Sequence, residues 1–145
     1  MSEEHLAVKF RLNPPVGPRG IRSIRKTLCN LTKQWEYPSD ISDNIGLAAS
    51  EAINNAREHA SQEGAVIEVT CRISLAEIKM VIEDKGSGTA DPGAVRRCFD
   101  SSTDAPGPDS ERGRGFYLMR SLMDEVSLSH NAHGGVRITM IKRVP

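Results

Sequence analysis

The sequence predicts an α+β two-layer sandwich, with helices gathered on one face of a mostly antiparallel sheet. Three observations lead there. Two neighbouring β-rich runs, 65–73 and 76–83, read as a hairpin. Two long segments carry apolar residues every three or four positions, the pattern of helices packed on something. The element order is strand, two helices, two strands, loop, helix, two strands, which is not the regular alternation of a parallel βαβ sheet.

Residues 6–12 alternate as a strand does, and the cluster Pro14, Pro15, Gly17, Pro18 stops it. From 20 to 35, Ile21, Ile24, Leu28, Leu31 and Trp35 recur at helical spacing, and the opposite face is basic. After Tyr37-Pro38, either Ser39 or Asp40 can cap a second helix running to about residue 60, with Ile41, Ile45, Ala49, Ala52, Ile53 and Ala56 towards a core. In the hairpin, Ile67, Val69, Cys71 and Ile73 alternate with Val66, Glu68, Thr70 and Arg72. Residues 85–115 turn to glycine, proline, serine and aspartate and read as a loop, interrupted by an apolar patch at Val95 and Phe99. A loop of that length inside a compact domain is usually functional. Phe116, Leu118, Met119, Leu122 and Met123 make 115–123 helical, and strands at 125–129 and 136–144 flank a turn at Gly134-Gly135.

Bulk properties bound the function. A chain of 145 residues has the size of one domain, so 1–145 is read as a single unit. Nineteen basic residues balance nineteen acidic ones, so nothing in the overall charge calls for direct nucleic-acid binding or an anionic membrane surface. Cys29, Cys71 and Cys98 are odd in number and contain no CxxC pair, which argues against a disulfide framework and a zinc site. The N-terminus is acidic where a signal peptide is basic, and no apolar run approaches the ~20 residues of a membrane helix. The expected location is the cytoplasm, with reduced thiols and no membrane partner.

Three motifs carry the chemistry. Glu51, Asn55 and His59 are spaced by four and share one face of the second helix. That row could be an ordinary solvated face, and a histidine at a helix end can simply interact with the helix dipole. The run Glu83-Asp84-Lys85-Gly86-Ser87-Gly88 puts an acid at a strand end, followed by glycines that let backbone approach a ligand closely; alone, it could be only a turn. Arg112-Gly113-Arg114-Gly115-Phe116 is glycine-rich and leads into a helix, where free amides and the positive end of the dipole can cradle phosphate. No GxxxxGK[ST] P-loop occurs.

In this order, ExxxNxxxH, DxGxG and GxG at a helix start resemble the N-box and the two glycine boxes of the GHKL ATPase superfamily. SEAINNAREH, EDKGSGTADP and RGRGFYLMRSLMDEV are most similar to the small serine/threonine kinases that act as anti-sigma factors in bacterial partner switching. The resemblance extends over nearly the whole chain and implies the GHKL ATP-binding fold, with ATP and Mg²⁺ as cofactors. It implies Asn55 as the Mg²⁺ ligand, with Asn54 on the wrong face, and Glu51 as general base. Asp84 would accept a hydrogen bond from the adenine amino group, with Gly86 and Gly88 making room. Gly113 and Gly115 would bind phosphate, Phe116 belongs to the same box, and either Arg112 or Arg114 would neutralise the terminal phosphate. Thr139 matches a threonine near the adenine pocket, although a strand threonine is also an ordinary structural residue. The stretch 99–112 would be the nucleotide lid.

The implied activity is a protein-serine/threonine kinase that phosphorylates an anti-anti-sigma factor and, as an anti-sigma factor, holds a sigma factor. The implied oligomer is a homodimer built through the first strand and helix. Two rivals use the same residues: a regulator-binding module that holds ATP only as a structural ligand, and an ATPase in which Glu51 activates water.

Overall fold

The computed structural model describes residues 3–59, 65–86, 92–100, 114–132 and 134–145. The chain runs β1 (Leu6–Leu12), α1 (Pro18–Gln34), α2 (Ser39–His59), β2 (Ile67–Ile73), β3 (Glu77–Asp84), α3 (Pro92–Asp100), α4 (Arg114–Leu122), β4 (Glu125–His130) and β5 (Val136–Arg143). The five strands form one sheet in the order β1-β2-β3-β5-β4, and every neighbouring pair is antiparallel.

Strand alternation divides the sheet into two unlike faces. Ile67, Val69, Cys71 and Ile73 of β2, Ile78, Met80 and Ile82 of β3, and Val136, Ile138 and Met140 of β5 are buried on one side. The helices cover that side: α2 lies on β2, β3 and β5, with α1 and α4 packed against it. Ala48, Ala49, Ala52 and Ala56 are fully buried, and these short side chains let α2 lie close to its neighbours. Gly46 does the same towards α1, since a Cβ there would stand 3.0 Å from the Arg25 carbonyl. The buried Thr32 hydroxyl, which donates to the Ser42 hydroxyl at 2.8 Å, joins α1 to α2.

The sequence expectations need one clear correction. Residues read as loop contain α3, nine residues long, in which Val95 and Phe99 stand one turn apart and are buried. Phe99 meets Phe116 of α4 edge-on, with ring centroids 5.4 Å apart, and this tertiary contact holds a helix in a stretch whose composition suggests a turn. Phe99 and Asp100, the first two residues of the expected lid, are the last two of α3, while 101–112 lie outside the described residues. Smaller differences are at element ends: α1 starts at Pro18, proline being suited to a first helical turn, and the hairpin strands start at Ile67 and Glu77. Cys29 and Cys71 are free thiols, and burial pushes the Cys71 thiol up to about 12. Among the described residues no helix is long and apolar enough to cross a membrane.

Candidate functional site

The polar row of α2 meets the start of α4. Glu51 and Asn55 are half-buried, one turn apart, and both point at Gly115, the second residue of α4. A Cβ on Gly115 would lie 2.7 Å from Asn55 Nδ2 and 3.3 Å from Glu51 Oε2, so any side chain there would displace the amide or the carboxylate. Glycine is what allows the helix start, whose first amides have no intrahelical acceptor, to sit against an acid and an amide. Burial pushes the Glu51 carboxyl above its ordinary value; Glu58 adds to this and Arg25 opposes it. Arg25, with Arg22 and Arg57, lines a cleft of about 320 Å³ between α1 and α2 that Glu51 also borders. Asn54 is occupied on this side, accepting a hydrogen bond from Arg57 Nη2 at 3.1 Å.

A second candidate feature is the end of β3. Asp84 is 0% exposed, a rare position for an acid without a cationic partner. The Gly86 amide donates to its Oδ1 at 2.8 Å, whereas Oδ2 is buried and lacks a hydrogen-bond partner among the described residues. Burial raises the carboxyl above its ordinary value, and the Gly86 amide opposes the rise. A Cβ on Gly86 would stand 3.0 Å from both the Ala65 Cβ and Asp84 Oδ1, which explains the glycine two residues after the acid. An orphaned buried carboxylate oxygen is a ready acceptor for a ligand N–H.

The remaining predicted residues divide in two. Gly88, Arg112 and Gly113 lie outside the described residues, as do the side chains of Arg114 and His59. Two others are placed elsewhere. The Phe116 ring is 1% exposed and is part of the core against Phe99, so its side chain packs α4 rather than lining a pocket. Thr139 pairs with Val81 and Ser127 on the open face of the sheet, opposite to the face that buries Ile138 and Met140. Strand alternation therefore turns it away from Asp84, which lies on the helix-covered side.

Sequence reasoning missed Asn131, whose side-chain amide donates to the Asp84 carbonyl at 2.8 Å. It also missed Arg25 of α1, which lines the same cleft as Glu51 and opposes the rise of its carboxyl. The only local signal was the Asn131-to-Gly135 turn itself, because Asn and Gly are turn formers whatever else they do.

This fold is a two-layer α+β sandwich whose α2 polar row faces a glycine at the start of α4. The family model for the histidine kinase-like ATPase domain matches residues 15–142. The serine-protein kinase RsbW of Bacillus subtilis (strain 168) is 32% identical over 144 residues, covering 92% of this chain and 84% of the relative. The anti-sigma F factor of Clostridium novyi (strain NT) is 32% identical over 108 residues, covering 72% of each. One chain in the crystal structure of the SiaB-SiaC complex from Pseudomonas aeruginosa shares the fold, with a TM-score of 0.55 at 13% identity over 93% of this chain and 89% of that chain. The chain belongs to the histidine kinase-like ATPase family, on its serine-protein kinase branch.

Proposed function

We propose that this chain is, over residues 1–145, an anti-sigma factor and protein-serine/threonine kinase that uses Mg-ATP to phosphorylate an anti-anti-sigma factor, and that this phosphorylation controls release of a sigma factor. The observation that carries the reading is the convergence of Glu51 and Asn55 on Gly115, where a Cβ would stand 2.7 Å from the amide of Asn55. An acid, an amide and a helix start with free amides are what positioning and charge neutralisation at a phosphoryl group require. The names of the relatives, serine-protein kinase and anti-sigma F factor, support the two halves of the role.

Mg-ATP supplies the phosphoryl group and the cationic charge that neutralises it. Asn55 offers the metal one amide oxygen, in keeping with the preference of magnesium for a few protein ligands completed by phosphate and water. Asp84 Oδ2 accepts a hydrogen bond from the adenine amino group, with Gly86 and Gly88 giving the base room. Gly113, Gly115 and the first amides of α4 hold phosphate, and Arg112 or Arg114 adds positive charge. Glu51 takes the proton from the attacking hydroxyl of the partner. Burial pushes its carboxyl above the ordinary value, which favours this role, because a more basic carboxylate accepts a proton more readily. Two copies pair through β1 and α1, whose Leu6, Phe10 and Leu31, with Trp35 at the C-cap of α1, are only partly buried. The location is the cytoplasm.

The test pairs single-turnover phosphate transfer to candidate anti-anti-sigma proteins encoded by neighbouring genes with nucleotide affinity. Glu51→Gln keeps the volume and ground-state contacts of the side chain, so transfer should slow by about 10²–10⁴-fold while ATP affinity stays within a few-fold. An unchanged transfer rate removes Glu51 as base. Tight ATP binding without transfer by the unaltered protein would instead favour the non-catalytic module, and phosphate release without a partner the ATPase.

A further inference from the structure

The backbone of Asp84 is held differently on its two sides. Towards β2 it is ordinary sheet: Asp84 pairs with Ile67, and the next amide, that of Lys85, donates to the Val66 carbonyl at 2.8 Å. Towards β5 the register runs from Glu77↔Arg143 to Glu83↔Arg137 and stops one residue short of Asp84. A side chain takes over at that point. Asn131, in the β4–β5 turn, donates from Nδ2 to the Asp84 carbonyl at 2.8 Å and to Glu83 Oε2 at 3.2 Å.

Asn131 is itself held at three further points. Its Oδ1 accepts from the Gly135 amide at 2.8 Å, its own amide donates to the Gly135 carbonyl at 2.9 Å, and its carbonyl accepts from the Gly134 amide at 2.9 Å. Gly134 has φ 81, in the left-handed region that favours glycine. Gly135 is pressed against the same backbone, since a Cβ there would stand 2.4 Å from the Asp84 carbonyl oxygen. The turn is thus clamped onto the peptide of the acid that has an unpartnered buried oxygen.

We infer that Asn131 is a positioning residue for nucleotide selection: its side-chain amide replaces the missing strand partner of Asp84 and fixes the direction in which the Asp84 carboxylate meets the base. This rests on the proposed role of Asp84 as base reader. The selectivity of a buried acceptor depends on its direction, because a carboxylate free to tilt can relieve the clash with a guanine carbonyl. A residue with only a structural role would weaken both nucleotides together. A positioning residue changes their ratio.

The experiment measures dissociation constants for Mg-ATP and Mg-GTP by calorimetry, with folding checked by circular dichroism, for the unaltered protein, Asn131→Asp, Asn131→Ala and Asp84→Asn. Asn131→Asp keeps the acceptor for Gly135 but removes the donor to Asp84, so it reports on the clamp even where Asn131→Ala fails to fold. The expected result is an ATP preference that drops by about 3- to 10-fold in the Asn131 variants, the value of one or two lost hydrogen bonds. A ratio left unchanged by Asn131→Asp, with Asp84→Asn abolishing the preference, overturns the inference and leaves the base reading intact. An ATP preference absent from the unaltered protein, or unaffected by Asp84→Asn, overturns the base reading and the inference with it.

Discussion

Glu83 and Asp84 follow one another on β3 and, because side chains alternate along a strand, stand on opposite faces of the sheet. Glu83 lies on the open face within reach of three donors: Arg137 Nη2 at 3.2 Å, Asn131 Nδ2 at 3.2 Å and Lys85 Nζ at 3.3 Å. Burial alone would raise its carboxyl, but these hydrogen bonds outweigh burial and hold it below the usual value. Asp84, turned towards the helices, has one amide donor and a bare oxygen, and burial raises it. Two adjacent acids of similar chemistry thus take opposite roles. Glu83 is satisfied and ties strands together; Asp84 carries an unmet need that a ligand can meet.

The largest expected effect tests the two faces themselves. Ile82 is fully buried beside Asp84, so Ile82→Ala should lower unfolding free energy by ~2–5 kcal/mol, through lost transfer energy and the cavity left behind. Val81→Ala on the open face should cost less than about 1 kcal/mol. Equal shifts in urea midpoints would break the division of the sheet into a core face and a solvent face.

Next comes the exchange of stability for binding at Asp84. In Asp84→Asn the oxygen can stay with the Gly86 amide only by presenting its NH₂ where Oδ2 was, opposing two donors when adenine is bound. ATP affinity should fall by about 10-fold or more, about 1–3 kcal/mol. The melting temperature of the nucleotide-free protein should hold or rise, since a buried unpaired charge is removed. A large drop in melting temperature with ATP affinity preserved would make Asp84 a structural acid like Glu83.

The smallest effects are in the pH dependence, where the two acids have opposite signs. Glu83 is lowered from 4.5, so its contribution is present above that value and is lost as pH falls through the lowered folded value. Asp84 is raised above 3.8, so its contribution is present below that value and is lost as pH rises through the raised folded value. The deficit of Glu83→Gln should therefore shrink in acid and stay within about 1 kcal/mol at neutral pH, because Lys85 and Arg137 are substantially exposed and salt screens the pairs. The advantage of Asp84→Asn should grow from acid towards neutral pH. Parallel pH profiles from thermal melts would erase the contrast.

Much of this was legible along the chain because the signals are local. The period of Ile21, Ile24 and Leu28 marks α1, the alternation from Ile67 to Ile73 marks β2, and the four-residue spacing of Glu51 and Asn55 puts both on one side of α2. The acid-glycine spacing of Asp84 and Gly86 likewise reflects a contact two residues apart. Each feature depends on the periodicity of one element or on its nearest neighbours, so residue order alone determines it. The α3 helix, the core position of Phe116, the outward turn of Thr139 and the hold of Asn131 on Asp84 could not be read that way. Phe99 meets Phe116 from 17 positions away (116 − 99) and Asn131 meets Asp84 from 47 (131 − 84), so these contacts exist only once the sheet has assembled. Tertiary packing decided them, because which face a strand residue occupies, and what closes an unfinished ladder, depend on the register between distant segments.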